Sequence, residues 1–122
     1  MALGALGQVH VSVSDLDRSV AFYRDVLGIQ HLFTVPGQPM AFFASGDVRL
    51  YLGKPESAEF RSHCVLYFWV DDLDAEAQRL APQGIGRPHV VHRDGTTQLW
   101  MAGLTDPDGH QIILMQERVA ES

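Results

Sequence analysis

A short motif occurs twice, and that repetition constrains the fold more than any other feature of the chain. Val13-Ser14-Asp15-Leu16-Asp17 matches Val70-Asp71-Asp72-Leu73-Asp74 at a spacing of 57 residues. Each copy follows a short apolar stretch, Val9–Val13 or Cys64–Val70. Each precedes a helix-like segment that ends in Gly-Ile, at Gly28-Ile29 and Gly84-Ile85. An internal repeat of this kind means two copies of one supersecondary unit. The halves read as about 1–55 and 60–122, joined by the polar, proline-containing linker Lys54–Glu59. In a chain of 122 residues neither half has enough apolar surface to fold alone. Each must bury a face against a second module, in its own chain or in another copy.

Local patterns repeat with the motif. Val9, Val11 and Val13 alternate with His10, Ser12 and Ser14, the period of a strand. Ser14 or Asp15 can cap the helix that follows, with Asp15 and Asp17 at its positive end. Leu16, Val20, Tyr23 and Leu27 form its apolar stripe, and Gly28 suits a left-handed C-terminal residue. Strands at Gln30–Val35, Met40–Ala44 and Val48–Leu52 complete a β-α-β-β-β order. The second half repeats it with strands at Cys64–Val70, Gly86–Val91, Gln98–Leu104 and Gln111–Gln116 and a helix at Asp72–Leu80. Arg93–Thr97 reads as a loop, and Asp106-Pro107-Asp108-Gly109 as a tight turn with His110 exposed on it.

Composition excludes several functions. The net charge is −6, and the nine basic residues are scattered, so the basic footprint of a nucleic-acid binder is missing. That acidity chiefly serves solubility and would favour a cationic ligand. No apolar run approaches the ~20 residues of a membrane span, and residues 1–7 contain no Lys or Arg and do not read as a secretory leader. A lone cysteine, Cys64, excludes an internal disulfide and a paired-cysteine zinc site. It fits a reducing cytoplasm, and its phase in the strand places it on the helix-facing side as a small core residue.

The segment Val13-Ser14-Asp15-Leu16-Asp17-Arg18-Ser19-Val20-Ala21-Phe22-Tyr23-Arg24-Asp25-Val26-Leu27-Gly28 resembles the opening signature of the vicinal oxygen chelate superfamily. That superfamily includes glyoxalase I, bleomycin-resistance proteins and extradiol dioxygenases. Asp106-Pro107-Asp108-Gly109-His110-Gln111-Ile112-Ile113-Leu114 resembles its closing signature, and the likeness spans about residues 8–116. The resemblance implies an α+β fold. Paired βαβββ modules, about 1–55 and 60–122, would form curved mixed sheets around a cavity within a single domain, 1–122. It also implies a homodimer.

Strand phase then assigns the cavity face: Gln8, His10 and Ser12; Arg49 and Tyr51; His63, Val65, Tyr67 and Trp69; Gln111, Ile113 and Met115. With Phe42 and Trp100 these make a large aromatic pocket with polar points, suited to a flat or partly aromatic organic ligand. Metal-using members of the superfamily hold a divalent ion at four positions, which map here onto Gln8, Tyr51, Val65 and Ile113. Valine and isoleucine have no donor atom, and a phenol ligates only as its anion, so the expectation is a metal-poor binding cavity with no cofactor. One alternative is a divalent ion held by His10 and His63. The protein would then be a glyoxalase-like lyase, isomerase or dioxygenase acting on vicinal oxygens, with His10 or Tyr51 as the catalytic base. Proton transfer by His10 without a metal is a further alternative. His31, His89 and His92 carry no such expectation. The His89-X-X-His92 spacing puts its two rings on opposite faces of a regular strand.

Overall fold

The computed structural model describes residues 2–120. The chain divides into two compact units, one reaching to His63 and the other beginning at Cys64. In the first, β1 (Gln8–Ser12), α1 (Leu16–Ala21), β2 (Gln30–Thr34), β3 (Met40–Ser45) and β4 (Val48–Gly53) follow in order. The second contains β5 (Val65–Trp69), α2 (Leu73–Arg79), β6 (His89–Asp94), β7 (Thr97–Thr105) and β8 (Gln111–Val119). The sheets have the same order, β1-β4-β3-β2 and β5-β8-β7-β6. In each, the first strand pairs parallel with the last and the other neighbours are antiparallel. This is the α+β architecture of βαβββ modules. Among the described residues no helix is long and apolar enough to cross a membrane.

The duplicated motif performs the same physical task twice. The Asp15 carboxylate accepts the Arg18 backbone N–H at 3.2 Å, and Asp72 accepts that of Ala75 at 3.1 Å. Both are side-chain N-caps on donors the helix leaves unpaired. Gly28 and Gly84 both take left-handed backbone conformations, with φ of 77° and 82°. Below α1 the helix widens into a π turn over Phe22–Val26, in which the Leu27 N–H reaches back to the Phe22 carbonyl at 2.9 Å. The wider turn directs both Phe22 and Tyr23 into the core, together with Val20 and a fully buried Ser19. Val11, Val13, Phe43, Leu50 and Leu52 receive them from the sheet, while Leu73 and Leu80 meet Ala102, Leu104, Ile112 and Leu114 in the second unit.

Two local expectations change. Arg93 and Asp94 extend β6 and Thr97 opens β7, so Gly95-Thr96 is a two-residue hairpin rather than a longer loop. Gly95 supplies the positive φ, 57°, that so tight a connection needs. His110 is buried at 2% exposure instead of standing on the turn. Its Nδ1 accepts the Cys64 N–H at 2.8 Å, and its backbone N–H donates to the Asp106 carboxylate at 2.9 Å. Asp106 also accepts the Asp108 N–H at 2.9 Å, so the turn folds inward around one carboxylate and one imidazole. Replacing His110 with Ala should therefore cost about 1–3 kcal/mol in urea unfolding, since the Cys64 N–H loses its acceptor. His110→Asn, which keeps an acceptor at that distance from the backbone, should lose measurably less.

Candidate functional site

The sheet of the first unit turns one face to its helix and leaves the other open. On that open face four rings stand in cross-strand register: Phe33 opposite Phe42, Phe42 opposite Tyr51, and Tyr51 opposite His10. They come from β2, β3, β4 and β1. Centroid separations along the row are 4.9, 5.1 and 4.7 Å, and Phe42 and Tyr51 stack at 19°. Directly opposed side chains in a sheet are spaced closely enough for such ring contacts. Phe33 joins the row because β2 has a bulge between His31 and Phe33 that shifts its phase. Phe43, one residue from Phe42, points the other way and packs against Tyr23 and His31 at 6.0 and 5.0 Å.

The His10 end of the row opens into a cavity of about 290 Å³ lined by Gln8, His10, Tyr51, Lys54, Glu56, Phe60 and Ser62. The His10 Nε2–H donates to the Gly53 carbonyl at 3.1 Å, which orients the imidazole. The same carbonyl accepts the Val13 N–H at 3.0 Å. Gly53 has a second role. A Cβ there would stand 2.6 Å from Tyr51 Cε1 and 2.9 Å from the Pro39 carbonyl oxygen, so only glycine lets the Tyr51 ring lie over the backbone. At the other wall, Ser12 and Ser62 exchange hydrogen bonds. The Ser12 N–H donates to Ser62 Oγ at 2.9 Å, the Ser62 N–H donates to Ser12 Oγ at 2.8 Å, and the two hydroxyls are 3.2 Å apart. Ser12, expected on the cavity face, is thereby buried as a clasp for the segment that carries Phe60.

Gln8, His10 and Tyr51 thus meet in one cavity, as their strand phases imply. Phe42 belongs to the row but is nearly covered by its neighbours. Arg49 is on the same strand face, two residues from Tyr51, with its guanidinium carbon 5.1 Å above the Phe42 ring and 5.6 Å from that of Phe33. The sequence reading missed Lys54, Glu56, Phe60 and Ser62 because they fall in or beside a stretch that looks like a plain linker. A single aromatic, Phe60, in that polar run was the one visible sign. His63 does not line this cavity, so the structure does not join it to His10 there.

In the second unit Val65, Tyr67 and Trp69 occupy the open face of β5, at 49%, 55% and 65% exposure. Gln111, Ile113 and Met115 lie directly across from them on β8. Trp100 is a correction. It shares its face with buried Ala102 and Leu104, hence with the helix side, and its ring lies 4.4 Å below the Arg118 guanidinium. Its Nε1–H donates to Gln98 at 3.1 Å. Its position two residues from Ala102 decides this, since residues two apart in a strand share a face. The histidine pair is a second correction. A bulge between Val90 and His92 puts His89 opposite Met101 and His92 opposite Leu99, so both rings take the open face.

The donor set does not fit the divalent ion that metal-using members of the superfamily hold. Gln8 is opposite Arg49 while Tyr51 is opposite His10, so the two first-unit positions are diagonal neighbours, and the phenol of Tyr51 would ligate only as its anion. Val65 and Ile113 offer no donor. Among the described residues no three His, Cys, Asp or Glu side chains gather where they could share an ion. The surface pair Arg24–Asp25, bonded at 2.8 Å on the helical segment, lowers the Asp25 carboxyl through the Arg24 hydrogen bond and raises Arg24 in return. It is remote in sequence from every cavity residue.

Two mixed four-stranded sheets of this order, each with its capped helix, define a βαβββ-module protein. Residues 5–114 match the family model of the Glyoxalase/Bleomycin resistance protein/Dioxygenase superfamily, and the chain belongs to that superfamily. It is 29% identical over 136 aligned positions to a probable lactoylglutathione lyase of Vibrio parahaemolyticus, covering 100% of this chain and 97% of that one. The structure of TnmS3, an antibiotic-binding protein from Streptomyces sp. CB03234, is similar at 26% identity and a TM-score of 0.73, covering 97% and 99% of the two chains. A lactoylglutathione lyase from Agrobacterium tumefaciens is similar at 25% identity and a TM-score of 0.71, covering 93% and 94%.

Filling the space at Gly53 tests the geometry of the site. Gly53→Ala should destabilise the fold by about 1–3 kcal/mol, the usual cost of overpacking, read from urea unfolding midpoints. It should also perturb the Tyr51 and His10 ring resonances in NMR spectra.

Proposed function

We propose that the protein binds a small, flat, partly aromatic organic molecule in the cavity of its first unit and does so without a resident metal ion. The carrying observation is the in-register row of rings that ends at His10 and Tyr51 on the cavity wall. A ligand ring entering the cavity extends an existing stack, so its aromatic contacts are pre-organised. Gln8, Ser62 and the Lys54–Glu56 pair of charges offer the polar contacts that orient it. The relative named as an antibiotic-binding protein supports a binding role on this fold. The relatives named lactoylglutathione lyase support the enzymatic alternative, a metal-dependent lyase, isomerase or dioxygenase, but Gln8, Tyr51, Val65 and Ile113 speak against it.

The proposal includes a homodimer in a reducing, cytoplasmic setting. Three large apolar side chains in one row of β5, Val65, Tyr67 and Trp69, are left open, a face that a second copy would cover. The single cysteine needs no oxidising compartment. A monomeric mass by light scattering at micromolar concentration would reject the dimer.

Binding is tested with 2-naphthamide, a flat neutral probe, followed by ligand-observed NMR. The wild-type protein should bind it, and His10→Ala and Tyr51→Ala should each weaken binding about tenfold, the equivalent of about 1.4 kcal/mol. Failure of the wild type to bind refutes the reading. Metal analysis of protein purified without chelators separates the alternatives. Less than stoichiometric metal is expected, whereas a stoichiometric divalent ion with chelator-sensitive turnover would establish the enzyme.

A further inference from the structure

We infer that the second unit binds a soft metal ion, copper(I), between His89, His92 and the thioether of Met101 on the open face of its sheet. The inference concerns the second unit alone and stands apart from the aromatic-binding reading of the first.

The bulge in β6 makes the site. Residues three apart in a regular strand face opposite ways, so without it the two rings would part. With the bulge between Val90 and His92, His89 is opposite Met101 and His92 opposite Leu99. Met101 and Leu99 are two apart in β7 and share a face. The histidines therefore take the spacing of same-face strand neighbours, about 7 Å at the backbone. Two rings at that spacing can lean onto one ion through bonds of about 2.0–2.1 Å. Met101 directly opposes His89, and its flexible side chain brings a sulfur to the same place.

Both rings suit the task. His89 Nδ1–H donates to the Arg87 carbonyl at 3.1 Å, which leaves Nε2 with its lone pair. Metal-bound histidines are commonly held by a backbone carbonyl in this way. His92 is exposed, and among the described residues it has no hydrogen-bond or ion-pair partner. The charge of the face favours a cation. Asp94, opposite Thr97, and Glu117, opposite Leu99, share the face with the histidines, whereas Arg93, opposite Gln98, takes the other one. No Lys or Arg stands among the paired strand residues of the open face.

The donors choose the metal. Among the described residues no third His, Cys, Asp or Glu gathers with the two histidines, so the three-ligand set of a zinc site is missing. The third donor is a neutral, soft sulfur. Two imidazoles and a thioether carry no charge to offset a divalent ion, and thioether ligands select copper(I).

The test titrates the full chain, purified without added copper and so expected to be metal-free, with copper(I) under anaerobic conditions in competition with bicinchoninate. A parallel titration uses zinc(II). The variants are the double change His89→Ala/His92→Ala and Met101→Leu, a volume-conserving swap, with urea midpoints to show that each is folded. The wild type should bind one copper(I) per chain. The double variant should lose about 100-fold or more in affinity, since even the outer partners of metal ligands are worth about 10- to 100-fold. Met101→Leu should lose about tenfold for copper(I) and leave the weaker zinc(II) binding unchanged, a split that a purely structural role for Met101 would not produce. Copper(I) binding no tighter in the wild type than in the double variant, zinc(II) binding tighter than copper(I), or a copper(I) affinity that Met101→Leu leaves intact overturns the inference.

Discussion

The parallel pairing of β1 with β4 is the constraint on which the site depends. It sets His10 opposite Tyr51 and Gln8 opposite Arg49, and it ends at Gly53, whose carbonyl receives both the Val13 N–H and the His10 imidazole. Side-chain period in a strand is two, so a slip of β1 by one residue against β4 would send His10 to the helix and bring Val11 to the open face. The burial of Val11, Leu50 and Leu52 against the helix prevents that slip. The same apolar pattern that stabilises the unit therefore determines which rings line the cavity.

The two units show how one backbone plan supports different surfaces. Tyr51 and Ile113 hold corresponding places, each opposite the central residue of its parallel partner strand. In the first unit the row continues through rings. In the second, Ile113 lies over Gly103, where an added Cβ would stand 3.0 Å from its Cδ1. One face offers stacked aromatics and a cation, the other exposed Val65, Tyr67 and Trp69 beside aliphatic neighbours. Duplication preserved the hydrogen-bonding frame and the helix caps, because these depend on the backbone and on one aspartate. It left the open-face side chains free to diverge, since the core does not use them.

Much of the fold was legible in the chain. The repeated Val-X-Asp-Leu-Asp motif announced two modules, and the N-caps at Asp15 and Asp72 and the left-handed Gly28 and Gly84 followed from local chemistry. The alternation of Val9–Val13 and Val48–Leu52 sorted helix side from open side, and with it Gln8, His10 and Tyr51. Features that depend on a partner distant in sequence were illegible. The burial of His110 requires the Cys64 N–H, 46 residues away, and the clasp of Ser12 requires Ser62, 50 residues away. Bulges in β2 and β6 changed the phase of Phe33 and His92 with no mark in the local pattern.

The chain alone thus determined its class, its modular order and the alternation of its faces, because these arise from short-range periodicity and capping that each segment carries within itself. Only the tertiary structure decided that Phe33, Phe42, Tyr51 and His10 form one row and that Arg49 rests upon it. It likewise drew Lys54, Glu56 and Phe60 out of an apparent linker to wall the cavity. Cross-strand register and bulges create those neighbourhoods. They are properties of paired strands and are absent from any one strand read by itself.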